Sequence, residues 1–170
     1  MTVKTTQVMS DEVVLNFINE AGKEDHHPKV KQCFIEVAID TAMRLQHILE
    51  IDLDTLVEHD DFFEFEVVGR RGIEHTERIN HEMYNKLIEL KSEGYGSKVF
   101  AELNRESVNK MMTRISCNLG YEKNQYTFQS FKKTGLSNLF RGLSDSEKKE
   151  RMEEYKVTMQ EFLESRFNHS

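Results

Sequence analysis

The hydrophobic period changes twice along this chain, and that change constrains the fold more than any other feature. Before residue 60 the apolar residues recur every three to four positions. At Phe63, Phe65 and Val67 they alternate with Glu64 and Glu66, and after Met83 the helical spacing returns. Alternation puts successive side chains on opposite faces of a strand, whereas a period of 3.6 collects them on one face of a helix. One short alternating stretch inside a helical chain predicts a mainly α (α+β) domain. A small antiparallel β-hairpin at one edge takes the place of a central parallel sheet. Its strands are expected near 63–67 and 73–79, with Gly69, Arg70, Arg71 and Gly72 in the turn.

Capping residues place the helices. Ser10 ahead of Asp11 and Glu12 suits a helix N-terminus, so a helix is expected over 11–21, ending near Gly22. A polar connector then reaches Pro28, a residue tolerated in a first helical turn. Val30, Phe34, Val37, Ala38 and Thr41 predict a helix over 28–43. Leu45, Ile48 and Leu49 predict a short one, and Ile51, Leu53 and Leu56 line a connecting segment. Met83, Leu87, Ile88 and Leu90 mark a helix that Gly94 and Gly96 break, and 98–100 reads as a short strand. Val108, Met111, Met112, Ile115 and Leu119 form the next stripe, closed by Gly120. Thr127 is placed to cap a helix bearing Phe128, Phe131, Leu136, Leu139 and Phe140. Ser144-Asp145-Ser146-Glu147 is a capping box that opens a tail helix at about 146–164, with Met152, Tyr155, Met159, Phe162 and Leu163 on its stripe.

At 170 residues the chain is expected to form a single domain over 1–170. Eleven Phe and eight Met supply its core. No apolar run approaches the ~18 residues of a membrane span, and there is no signal-peptide pattern. The two cysteines, Cys33 and Cys117, make neither a disulfide framework nor a zinc site. Both lie in apolar stripes, where burial is expected, and a reducing cytoplasm suits them. His26-His27 and the His75/His81 pair do not match a helical zinc spacing, and no GxxxxGK[ST], GxGxxG or GxSxG run is present. No metal, nucleotide or other small-molecule cofactor is therefore expected, and no membrane partner.

The net charge of −7 on its face disfavours nucleic acid, but it is unevenly spread. Residues 1–94 sum to −10, residues 95–143 to +5 and residues 144–170 to −2. The basic segment holds Lys98, Lys110, Arg114, Lys132, Lys133 and Arg141. It reads either as an anion-binding face or as ordinary solvated surface.

The order of these elements resembles the catalytic domain of tyrosine recombinases, the phage-integrase family, over nearly the whole chain. That family shows a leading helix, a "TGLRxxE(L/I)xxL" box, a hairpin bearing a lysine, a strand end, a "tHxLRrT" helix, an "LGH" box and a tyrosine near the C-terminus. Here Ser10-Asp11-Glu12-Val13 stands at the leading helix. Ala42-Met43-Arg44-Leu45-Gln46-His47 stands at the first box, with its arginine kept and His47 in the glutamate's place. Arg70 or Arg71 falls at the hairpin lysine, and Glu77-Arg78-Ile79 resembles the strand end. Phe128-Gln129-Ser130-Phe131-Lys132-Lys133-Thr134 stands at "tHxLRrT", with glutamine for histidine and lysine for arginine. The "LGH" box has no clear counterpart near 142–146. Met152-Glu153-Glu154-Tyr155-Lys156 is spaced for the nucleophile segment, although Tyr155 also fits the stripe of its own helix.

The resemblance implies duplex DNA as partner. It implies catalytic positions at Arg44, Lys132, Gln129 and Tyr155, and DNA contacts from Arg44, Arg70, Arg71, Lys98, Lys110, Arg114, Lys132, Lys133 and Arg141. In the family a tyrosine attacks a DNA phosphate, and arginines stabilise the charge that develops. Lys132 offers a point charge in place of a planar bidentate fork. Gln129 can donate a hydrogen bond but cannot shuttle a proton. One lost oxyanion donor costs ~10²–10³ in rate, and a lost general acid or base costs about 10²–10⁴. Phosphate binding needs only positive charge and suffers far less.

The expectation is a DNA-binding protein with a degenerate recombinase fold that does not cleave, in the role of a phage or mobile-element regulator such as a repressor. It would work in the cytoplasm of a bacterial or phage-infected cell, with no N-terminal core-binding domain in this chain and with self-association through the tail helix. The alternatives are an active divergent recombinase using Tyr155, Arg44 and Lys132, and a helical protein-interaction module without DNA binding.

Overall fold

Ser10 opens α1 (Asp11–Ala21), its hydroxyl accepting from the Val13 N–H at 3.2 Å. The computed structural model describes residues 7–68 and 74–140. The predicted turn at 69–72, with Arg70 and Arg71, lies outside the described residues, as do Arg141, the 144–147 capping box, Tyr155 and the tail helix.

Helix α2 (Pro28–Thr41) starts with proline and ends two residues before the sequence expectation. Ala42 there takes a left-handed conformation, φ 56°, which no helix can continue through. Thr41 finishes the last turn. Its hydroxyl donates to the Val37 carbonyl at 2.7 Å and accepts from the Met43 N–H at 3.2 Å. The chain then enters α3 (Leu45–Leu49), with Arg44 at its N-cap.

The sheet has three antiparallel strands in the order β1-β2-β3: β1 (Val57–Glu58), β2 (Phe62–Val68) and β3 (Glu74–Asn80). Of these three strands the sequence predicts β2 and β3 as a hairpin. Both residues of β1 are exposed, so no alternation betrays this short edge strand. In β2–β3 the register pairs Phe63 with Ile79 and Phe65 with Glu77. Phe63, Phe65, Val67 and Ile79 are buried, so this face is turned to the core. Glu77 shares it. On the opposite face Arg78 reaches Glu64 at 3.8 Å and lies 4.2 Å over the Phe62 ring.

Helix α4 (His81–Leu90) follows β3 directly, and the Asn80 side chain caps it by accepting from the Met83 N–H at 2.7 Å. A wide helical turn over Lys91–Tyr95 ends α4, with Gly94 at φ 104°. Residues 98–100 form turns rather than the expected strand. The Ala101 N–H donates to the Lys98 carbonyl at 3.0 Å, and Val99 and Phe100 are both buried instead of alternating.

Helix α5 (Arg105–Asn118) begins with a reciprocal cap. The Asn104 side chain accepts from the Ser107 N–H at 2.8 Å, and the Ser107 hydroxyl accepts from the Asn104 N–H at 2.8 Å. Cys117 is exposed, contrary to the sequence expectation, because it falls off the Val108–Met111–Met112–Ile115 stripe. Cys33 is buried, and that burial pushes its thiol up to about 12, where it is unreactive. In α6 (Phe128–Phe140) Ser130 accepts from the Thr127 N–H at 2.9 Å, fixing the first turn.

Phe17, Phe34, Phe100 and Phe131 are fully buried and knit the helices together. Phe17 meets Phe131 edge-on at 6.0 Å, and Phe34 meets Phe100 edge-on at 5.7 Å, both favoured aromatic geometries. Among the described residues no helix is long and apolar enough to cross a membrane.

Candidate nucleic-acid interface

The left-handed turn at Ala42 delivers Arg44 to the surface at the start of α3, where it is exposed. Helix α6 is held against this turn by Gly135. A Cβ at that position would stand 2.5 Å from the Ile39 carbonyl oxygen and 3.0 Å from the Ala42 Cβ. Only glycine permits this approach. Lys132 lies one helical turn before Gly135, so the contact carries this part of α6 toward the Ala42 turn. Thr134 ties the same stretch to the N-terminal segment, its hydroxyl accepting from the Met9 N–H at 2.8 Å.

Glu77 joins the two cations. Its side chain is only 13% exposed on the core face of β3, and burial pushes its carboxyl up to about 7. Lys132 and then Arg44 act in the opposite sense on the same carboxyl, so both lie within electrostatic reach of it. His47, also buried, places Nδ1 3.9 Å from Glu77 Oε1. Arg44 and His47 from α3, Glu77 from β3 and Lys132 from α6 therefore form one cluster. Two cations within electrostatic reach of one carboxylate are groups whose interactions phosphate oxygens can also take up, which makes this cluster the candidate phosphate seat.

The other named positions divide by environment. Gln129 is exposed in the first turn of α6, one turn ahead of Lys132. Lys133 is partly buried, which lowers its pKa. Lys98 is exposed in the turn before α5. Lys110 pairs with Glu106 at 3.0 Å on the exposed side of α5. Arg114 grips Glu24 with Nε at 3.3 Å and Nη2 at 2.5 Å, and Lys31 reaches the same carboxylate at 3.1 Å. The Arg114 bond is the main cause that holds Glu24 below the usual carboxylate range. Arg105, Lys110 and Arg114 line a groove of about 670 Å³ along α5.

Sequence reasoning named Arg44 and Lys132 but saw Glu77 only as part of a strand end. The signal was its separation of two from Ile79, which puts a carboxylate on the buried face. Arg105 was passed over because it opens its helix outside every quoted motif.

No family model matches the chain, and no curated protein does. Solved structures do. The XerH site-specific recombinase bound to its difH substrate superposes with a TM-score of 0.69 at 15% identity, over 100% of this chain and 52% of that one. The chain has the tyrosine-recombinase fold. Lambda integrase residues 75–356 bound to DNA match at TM-score 0.66 and 16% identity, over 89% of this chain and 57% of that one. XerA recombinase matches at TM-score 0.63 and 10% identity, over 99% and 65%. The chain thus spans about half the length of the XerH protein it resembles. Ala42, which the sequence resemblance sets at the glycine of the first box, has φ 56°.

Proposed function

We propose that this chain binds duplex DNA through its recombinase fold without cleaving it, in a regulatory, repressor-like role on a phage or mobile element. The observation that supports this most is the convergence of Arg44 and Lys132 on Glu77, since it gathers positive charge from helices 88 positions apart in sequence at one place (132 less 44). The lambda integrase structure bound to DNA and the XerH recombinase bound to its difH substrate, which share the fold, point the same way. The chemistry for cleavage is weakened at the same place: lysine replaces a bidentate fork, and Gln129 has no proton to exchange at neutral pH. Arg70, Arg71, Lys98, Lys110, Arg114, Lys133 and Arg141 are further candidate phosphate contacts, which position a protein on DNA without reading sequence. Self-association through the tail helix belongs to this proposal. Light scattering of the chain with and without residues 144–170 measures it.

The test is to incubate the protein with a nicked, end-labelled duplex and resolve the mixture with and without denaturant. A mobility shift that vanishes in denaturant supports the proposal. A denaturant-stable adduct, lost in Tyr155→Phe, would establish an active recombinase instead. Absence of both would leave the protein-interaction reading, which the net charge of −7 favours.

A further inference from the structure

We propose that Glu77 is a proton-coupled gate on the phosphate seat: its carboxylate and a DNA phosphate compete for Arg44 and Lys132, so phosphate enters as Glu77 takes up a proton. This rests on the DNA-binding reading and adds to it a regulated occupant of the site.

The geometry comes from three elements. Strand β3 turns Glu77 to the core face, opposite Phe65 and two residues from buried Ile79. Apolar neighbours on that face supply little solvation, so the ionised carboxylate depends on nearby charge. Arg44 at the N-cap of α3 acts on its charge, and His47 of α3 places Nδ1 3.9 Å away. From α6 it is faced by Lys132. β2 places Phe65 at the paired position. The Gly135–Ala42 approach fixes the backbone of α6 against the turn that leads to Arg44.

An unprotonated Glu77 meets a phosphodiester as a like charge in a poorly solvated place, and the two anions cannot share two cations at full strength. When Glu77 takes a proton from solvent, the carboxyl becomes neutral and both cations turn to the phosphate. The position of its titration, close to neutrality, makes the exchange responsive near physiological pH. By linkage, binding that is accompanied by proton uptake weakens as pH rises.

The experiment is fluorescence anisotropy with an end-labelled duplex at constant ionic strength, from pH 6.0 to 8.5, on the full chain and on Glu77→Gln. The full chain is expected to lose about tenfold in affinity across this range. Glu77→Gln should show a clearly shallower dependence, and at pH 8.5 it should bind about tenfold tighter than the parent. Parallel pH profiles for the two proteins would overturn the gate while leaving DNA binding intact. No binding by either protein at pH 6.0 and low salt would overturn the DNA reading and the gate with it. A second measurement needs no DNA: carboxyl ¹³C NMR of glutamate-labelled protein, with Glu77→Gln as the assignment. Lys132→Met should move the Glu77 titration to higher pH, and a titration that stays in place would overturn the gate by itself.

Discussion

Gly135 of α6 lies so near Ala42 that a Cβ on the glycine would stand 3.0 Å from the alanine Cβ and 2.5 Å from the Ile39 carbonyl oxygen. The backbone of α2 cannot yield there as a flexible side chain would. Gly135→Ala should therefore destabilise the fold by about 1–3 kcal/mol, the usual cost of overpacking a tight contact. Urea denaturation measures it. The same substitution should move Lys132 away from Arg44, so the Glu77 carboxyl should titrate at higher pH than in the parent.

The Glu77 carboxyl makes stability depend on pH with a definite sign. Its folded value, about 7, lies above the ordinary 4.5 because burial disfavours the charge. The folded state holds this proton more tightly than the unfolded chain. The resulting stability is fully present below pH 4.5 and is lost as pH rises through about 7. The loss is on the order of 3 kcal/mol. In Glu77→Gln this component should disappear, and the variant should be the more stable protein at pH 8. Urea midpoints at pH 5 and pH 8 for both proteins test this.

Glu24 has the opposite sign. It is drawn below the usual carboxylate range chiefly by the Arg114 hydrogen bond, with Lys31 assisting. Its contribution is present above about pH 4.5 and is lost as pH falls through its lowered folded value. Glu24→Gln should cost about 1–3 kcal/mol at pH 7, because the Lys31 side chain is only 9% exposed and would lose its charge partner. Thermal unfolding at pH 7 and at pH 3.5 should show the difference shrinking at the lower pH.

The reciprocal cap at Asn104 and Ser107 closes the start of α5. Asn104→Ala should cost about 1 kcal/mol, with Asn104→Asp close to neutral because an acid also accepts there and suits the helix dipole. Denaturant midpoints of the three proteins decide it.

Much of this architecture was legible because its signals are local. Ser10 and Pro28 marked helix starts, and the Phe63–Phe65–Val67 alternation marked the hairpin. β1 was not, since two exposed residues paired through the backbone leave no pattern. The end of α2 was not, because an alanine at positive φ is chosen by tertiary packing rather than by propensity. At the candidate site, Arg44 and Lys132 could be named from motif order. Glu77 could not, because its role depends on a cross-strand register with Phe65 and on the approach of α6 through Gly135. The expected actions of Arg70, Arg71, Arg141 and Tyr155 fall outside the described residues.

The most direct test of DNA binding at this cluster is a salt titration of a labelled duplex with the full chain at pH 6.5. Neutralising Z phosphates gives a log–log slope of about −0.9Z, so four to six contacts predict roughly −4 to −5. Joint replacement of Lys132 and Lys133 by alanine should flatten that slope by up to about two units. Affinity that does not change with salt, or a slope that the double substitution leaves untouched, would contradict the account.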